Sequence, residues 1–216
     1  MQIGLVITND WEVYGNGSGN FFEVQYKPTE ELLHVCELYG AKVTLMAEIG
    51  QQWAHEALAS TQKWAEEIAE VWRQQCCRAV EKGHDVQLHL HPQWLDAHYK
   101  NEWKLNLKAS SLADFTPSLQ ENILRRGKDY LEHLLKPVDS SYACVAFRAG
   151  TYMIQPSEAV VRALKRTGFL CDTSVTKGLF FRSSHGWYDF QQAPSHYYPW
   201  FISNGDVNKS TTEPKG

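Results

Sequence analysis

The chain has 216 residues, 43% of them hydrophobic and 21% charged, a balance that can bury a core and excludes wholesale disorder. At roughly 150 residues per domain the length fits one large unit, and α/β barrels often reach this size as a single domain. The 21 Lys+Arg stand against 25 Asp+Glu for a net charge of −4, and no long basic run supplies the footprint that would neutralise a phosphate backbone, which excludes nucleic acid as the expected partner.

In chain order, Ile3 to Thr8 is a short, near-continuous apolar run and predicts a first buried strand, with Asn9 and Asp10 at its carboxyl end. The same opening residues lack the basic stretch and long apolar run of a secretory signal, so the expected location is the cytoplasm. Pro28-Thr29-Glu30-Glu31 opens a helix that Gly40 ends, and Lys42 to Ala47 predicts strand two. From Gln52 to Glu81 the pattern is helical, with Trp53, Trp64 and Trp72 on a core stripe and a break near Ser60-Thr61. Asp85 to His91 alternates with period two, placing Val86, Leu88 and Leu90 on one face and Gln87, His89 and His91 on the other.

A polar, aromatic loop then runs from about Pro92 to Pro117, followed by a helix from Ser118 to Leu135 and a strand from Tyr142 to Arg148. Pro156 to Thr167 reads as a helix ended by Gly168, and Phe169 to Val175 as a further strand. Beyond Thr176 the chain is aromatic and irregular, and residues 206–216 read as a flexible tail after a domain over 1–205. Apolar runs alternating with helices predict an α/β fold with a mostly parallel sheet. No apolar run approaches the roughly 18 residues of a membrane span. Cys36, Cys76, Cys77, Cys144 and Cys171 are odd in number and form no C-x-x-C pair, so reduced thiols are expected.

Parallel α/β folds gather functional groups where strands end at their carboxyl side. Asp10 and Glu12 follow the first strand, His89 and His91 end the Asp85 strand, Arg148 ends the next, and Asp172 and Ser174 lie near the end of another. Two imidazoles at i and i+2 share a strand face and can reach one cation, and a neighbouring carboxylate completes three protein ligands, which suits Zn2+ with a water in the fourth position.

Taken together, these segments resemble the polysaccharide deacetylase (NodB-type) family in content and order. ITNDWE at Ile7–Glu12 is similar to its aspartate motif, GHDVQLHLHP at Gly83–Pro92 to its metal-histidine motif, FRAGTY at Phe147–Tyr152 to its arginine motif, and CDTSV at Cys171–Val175 to its later aspartate motif. The resemblance implies a distorted, incomplete (β/α) barrel, one divalent ion held by an aspartate and two histidines, and removal of an acetyl group from a carbohydrate or glycan precursor. On that pattern Asp10, His89 and His91 are the expected ligands, and Asp10, Glu12, Arg148 and Asp172 the expected catalytic set. Asp10 as base with Glu12 in the metal shell is the alternative assignment. Arg148 is expected to bond and orient a carboxylate, Asp172 to orient Arg148 or a histidine, and Ser174 only to pack.

Three departures stand out. In place of two adjacent aspartates the chain has Asn9-Asp10, with Glu12 two residues on. Gln93 stands where the family has its second histidine, with His91 and the remoter His98 as substitutes. Nothing after His196 matches the family's final Leu-x-His motif. Trp11, Trp94 and Tyr152 are the rim aromatics expected to meet a sugar face. Two other readings remain: a hydrolase of another non-peptide C–N bond on the same fold, or a degenerate barrel that binds a saccharide without turnover.

Overall fold

The computed structural model describes residues 4–195 and 197–212. Strand β1 (Ile7–Trp11) leads through a π turn at Phe22–Tyr26 into α1 (Lys27–Leu38), then β2 (Val43–Glu48), α2 (Ile49–Ala59) and α3 (Lys63–Glu81). Strand β3 (Asp85–Leu90) precedes a small hairpin of β4 (His98–Lys100) and β5 (Glu102–Lys104), after which come α4 (Pro117–Leu135), β6 (Ala146–Ala149), α5 (Ser157–Arg166) and β7 (Cys171–Asp172). Two further hairpins follow: β8 (Phe180–Arg182) with β9 (Trp187–Asp189), and β10 (Phe201–Ser203) with β11 (Asp206–Thr211).

Strands β1, β2, β3, β6 and β7 form one all-parallel sheet in that spatial order, each crossover carrying one or two helices. This is the expected α/β architecture. Helix α3 shows why the elements pack as they do: Ala65, Ala69, Trp72, Cys76 and Ala79 recur at helical spacing, and all are buried. Their stripe meets a layer of strand side chains that includes Leu45, Val86, Leu88 and Phe147, all fully buried. Each such apolar side chain contributes about 1.5–3 kcal/mol of transfer energy.

Strands β1 and β7, at opposite edges, are not hydrogen-bonded to each other among the described residues. A side chain nevertheless spans much of the gap. Arg148 on β6 donates to Asp10 and to Thr8 Oγ1 (2.9 Å) on β1, and through Nε to Thr173 Oγ1 (3.1 Å) just beyond β7. Strands β1 and β6 are three places apart, about 14 Å in a flat sheet. The sheet is therefore curled, with Arg148 inside the curl.

Several expected boundaries are corrected. The first strand begins at Ile7, because its ladder begins where Ile7 meets Val43; Leu5 and Val6 remain 86% and 80% exposed, and Ile3 lies outside the described residues. The Tyr142–Arg148 segment is a strand only over its last part. Before it, Tyr142 Oη donates to Val86 O, and Val145 and Ala146 N–H donate to the Gln87 side chain, which replaces strand ladder bonds there. The Phe169–Val175 strand shrinks to Cys171–Asp172, since Ser174 turns back onto the Asp172 carboxylate. The long second helix begins earlier than Gln52, at Ile49, and divides at the expected break, where Ser60–Gln62 leave the helical path. Trp64 is half-buried rather than core and packs 4.7 Å from Tyr99. Past Thr176 the segment expected to be irregular holds two hairpins, and β11 occupies the start of the expected tail; residues 213–216 and His196 lie outside the described residues. Among the described residues no helix is long and apolar enough to cross a membrane, and the five cysteines are unpaired.

Candidate metal centre

Register builds the site. Glu48 pairs with His89, and His89 with Arg148, so three ionisable residues on three neighbouring strands stand in one row at the carboxyl edge. Trp11 pairs with Ala47, which puts Glu12, one residue later, level with Glu48. In-register residues of a parallel sheet point to the same face. Glu12, Glu48, His89 and Arg148 therefore share the inner face, and His91 joins them from two positions further along β3's path. Asp10 lies one pleat below, in the row of Met46 and Gln87.

Ligand atoms of Glu12, Glu48, His89 and His91 all lie within 4.8 Å of one another, a group able to hold a metal ion. Glu12 approaches both rings: its Oε2 is 2.8 Å from His91 Nε2 and its Oε1 is 3.7 Å from His89 Nε2. Yet Glu12 Oε2, His89 Nε2 and His91 Nε2 are all buried without a hydrogen-bond partner. Buried polar atoms are ordinarily paired, and an orphan costs about 1–3 kcal/mol. Three orphans converging on one point fit a cation. The two imidazole planes stand at 85° with centroids 4.9 Å apart, so the rings do not stack and their Nε2 edges turn inward.

Supporting bonds fix the ligands. His89 Nδ1 lies 2.9 Å from the Arg148 carbonyl oxygen. A carbonyl only accepts, so Nδ1 carries the proton and Nε2 presents its lone pair to the cluster. Gly150 permits His91 to lie where it does, since a Cβ at that position would fall 2.4 Å from His91 Cγ. Glu48 is fully buried and tied by backbone: Oε2 accepts from His91 N–H (2.6 Å), and Oε1 accepts from Gly50 N–H (2.7 Å) and Gln51 N–H (3.3 Å), capping α2.

The electrostatics point the same way. Burial pushes the Glu48 carboxyl up to about 8, against the pull of His91 and the backbone donors, with Glu12 adding to the rise. Burial would raise Glu12 too, but the His89 and His91 imidazoles outweigh it and hold that carboxyl at about 2. Two carboxylates buried side by side repel unless positive charge stands between them. Two imidazole nitrogens beside carboxylate oxygens are donors of the kind that divalent ions take.

The expected site residues divide. His89 and His91 meet as expected. Asp10, expected as a ligand, is outside the cluster: its Oδ1 accepts from the Arg148 guanidinium, and Glu12 takes the place at the imidazoles. Arg148 bonds a carboxylate, as expected. Asp172 turns away into its own turn, accepting from Ser174 Oγ (2.6 Å), and burial lifts its carboxyl to about 6; Ser174 also accepts from Ala149 N–H (2.8 Å), so it does more than pack.

Trp11 and Trp94 are corrected as stacking platforms. They are 1% and 2% exposed, Trp11 lying 4.9 Å from Trp72 and Trp94 5.2 Å from Trp103, and neither offers a ring face to a ligand. Tyr152 is half-buried, with its ring edge-on to Tyr188 at 6.4 Å, and it follows Thr151 in a second consecutive left-handed conformation (φ 59° after 52°). His98 lies exposed on the β4 hairpin strand. Glu48 is the residue that sequence reasoning missed. Ending strand two at Ala47 stopped one residue short of the ionisable group at that strand's carboxyl end.

Fold and site together define a parallel α/β protein with a candidate metal centre at the carboxyl edge of its sheet. The chain matches no protein-family model, no curated protein and no solved structure.

Proposed function

We propose that the protein is a divalent-metal-dependent hydrolase that removes an acetyl group from a carbohydrate or glycan precursor, with Glu12, His89 and His91 as ligands. The convergence of three orphaned, buried polar atoms carries this reading. The order of the four sequence motifs, similar to the polysaccharide deacetylase family, supplies the substrate class.

Glu12, His89 and His91 would hold the divalent ion, which would supply activation of water and polarisation of an acyl oxygen. The chain's own residues do the rest. Asp10 is the general base: Arg148 holds Oδ1 and leaves Oδ2, on a side chain 30% exposed, to take a proton from the attacking water and deliver it to the departing amine or alcohol. Arg148 orients Asp10 through a charge-assisted bond, itself braced by Thr8 and Thr173. Glu48 fixes the backbone of His91 and stays behind the ligands.

The test is elemental analysis of the purified protein together with acetate release from acetylated amino-sugar oligomers. Near-stoichiometric zinc, and release that disappears in His89→Ala/His91→Ala, supports the proposal; wild-type protein that takes up no divalent ion overturns it. The burial of Trp11 and Trp94 favours one second reading, hydrolysis of a smaller, non-saccharide C–N bond at the same centre. Zinc-dependent cleavage of small amides, with acetylated oligomers untouched, would select it.

A further inference from the structure

The main chain on both sides of Glu12 is held by side chains. The β1 ladder ends where Trp11 pairs with Ala47, so Glu12 stands one residue beyond the last strand pairing. There the Trp11 carbonyl accepts from Gln25 Nε2 (3.1 Å), the Val13 N–H donates to Gln51 Oε1 (3.1 Å), and Gln51 Nε2 donates to Gln25 Oε1 (2.8 Å). The polarity of this relay is pinned at both ends, because a carbonyl only accepts and a backbone N–H only donates. Gln25 and Gln51 are buried, at 2% and 0% exposure, and these bonds use every polar atom of both side chains. Gln25 turns inward from the π turn Phe22–Tyr26, a distortion of a kind that recurs at functional sites. Gln51 belongs to the first turn of α2, where its own N–H donates to Glu48 Oε1 (3.3 Å) while Glu48 Oε2 accepts from the His91 N–H. The start of one helix therefore reaches both segments: that of His91 through Glu48, and that of Glu12 through the Gln51 side chain.

We infer that Gln51 and Gln25 are positioning residues that lock the Glu12 main chain before an ion arrives, setting its carboxylate against the two imidazoles. This rests on the metal reading above. Packing alone would be served by an unbranched apolar side chain of the same size, whereas a buried amide is costly unless its hydrogen bonds are made. What the amides add is direction, since any swing of the peptide units flanking Glu12 breaks a buried bond. A ligand held in place beforehand loses less conformational freedom when the ion binds, and the affinity rises accordingly.

The experiment compares full-length wild type with Gln51→Met and Gln25→Met, which keep the volume and remove the bonds. Amide hydrogen exchange without metal is the first readout. The wild-type Val13 amide should be as protected as the amides of β2, and in Gln51→Met it should exchange at least about tenfold faster while β2 stays protected. Zinc titration is the second, and both variants should bind about 10–100-fold more weakly. Wild type in enough urea to match the stability of each variant, but still folded, should keep its zinc affinity. An unprotected Val13 amide in wild type overturns the inference. So does wild-type zinc affinity in the variants, or an equal loss of affinity in the urea-matched wild type, which would reduce the glutamines to general supports of the fold. If Gln51→Met does not fold, Gln25→Met, which keeps the Val13 bond, and the wild-type exchange decide the matter. If wild type binds no zinc, the metal reading fails, and the exchange rates still decide whether the glutamines hold the Glu12 main chain.

Discussion

The His91 backbone N–H donates to Glu48 Oε2 at 2.6 Å, tying the end of one central strand to the last residue of its neighbour. The other oxygen of the same carboxylate caps the helix that begins one residue later. One side chain thus holds the backbone of a candidate ligand and starts α2. Glu48→Ala loses the cap and leaves the His91 N–H buried without an acceptor, and should cost about 2–4 kcal/mol in urea unfolding. Zinc affinity should fall with it. Unchanged stability would show that Glu48 is not the brace described.

Gly150→Ala tests the close approach at His91. A Cβ there would sit 2.4 Å from His91 Cγ and 2.6 Å from Cδ2, so the ring must leave its place or β6 must shift. The variant should unfold about 1–3 kcal/mol more easily and bind zinc more weakly, measured by denaturation and titration. Wild-type zinc binding would mean that the ring position is not what the centre needs.

Arg148→Lys separates catalysis from metal binding. His89 is held by the Arg148 carbonyl, which the substitution keeps, whereas the fork that grips Asp10, Thr8 and Thr173 is lost. Zinc stoichiometry should stay at the wild-type value while kcat falls at least about tenfold. Loss of metal in step with activity would instead place Arg148 among the supports of the ligands.

How much of this was legible beforehand follows from what a single chain encodes. Period-two alternation put His89 and His91 on one face, and helical spacing and Gly stops located the helices, because both are local. Which carboxylate meets the imidazoles depends on how β1, β2 and β3 align, and register is a long-range property that no local pattern around Asp10, Glu12 or Glu48 records. Hence Asp10, apt in chemistry, falls one pleat short, and Glu12 lands in the row. Trp11 and Trp94 misled for a related reason: an indole beside a rim loop has the same sequence signature whether it faces a ligand or, as Trp11 does, another indole.

A pH dependence follows from His55, which is buried between Trp64 and Trp103 with Nδ1 2.8 Å from Gln51 O. Burial lowers its pKa from 6.5 to about 4, against a smaller opposing effect of the Gln51 carbonyl. As pH falls, the unfolded chain takes up this proton before the folded one does. The stabilisation is complete above the unfolded value and is lost as pH drops from about 6.5 to 4, by up to roughly 3 kcal/mol. Urea titrations across that range should show a shallower decline for His55→Gln than for wild type. Parallel curves would mean that His55 titrates normally.

Diffraction from a zinc-soaked crystal at the zinc absorption edge would locate a divalent ion gripped, as proposed, by Glu12, His89 and His91. A single strong anomalous peak should stand about 2.0–2.2 Å from a Glu12 carboxylate oxygen and from both Nε2 atoms, with Asp10 still on Arg148. A zinc-soaked crystal with no peak there, or with the ion on Asp10 and one ring turned away, would contradict it.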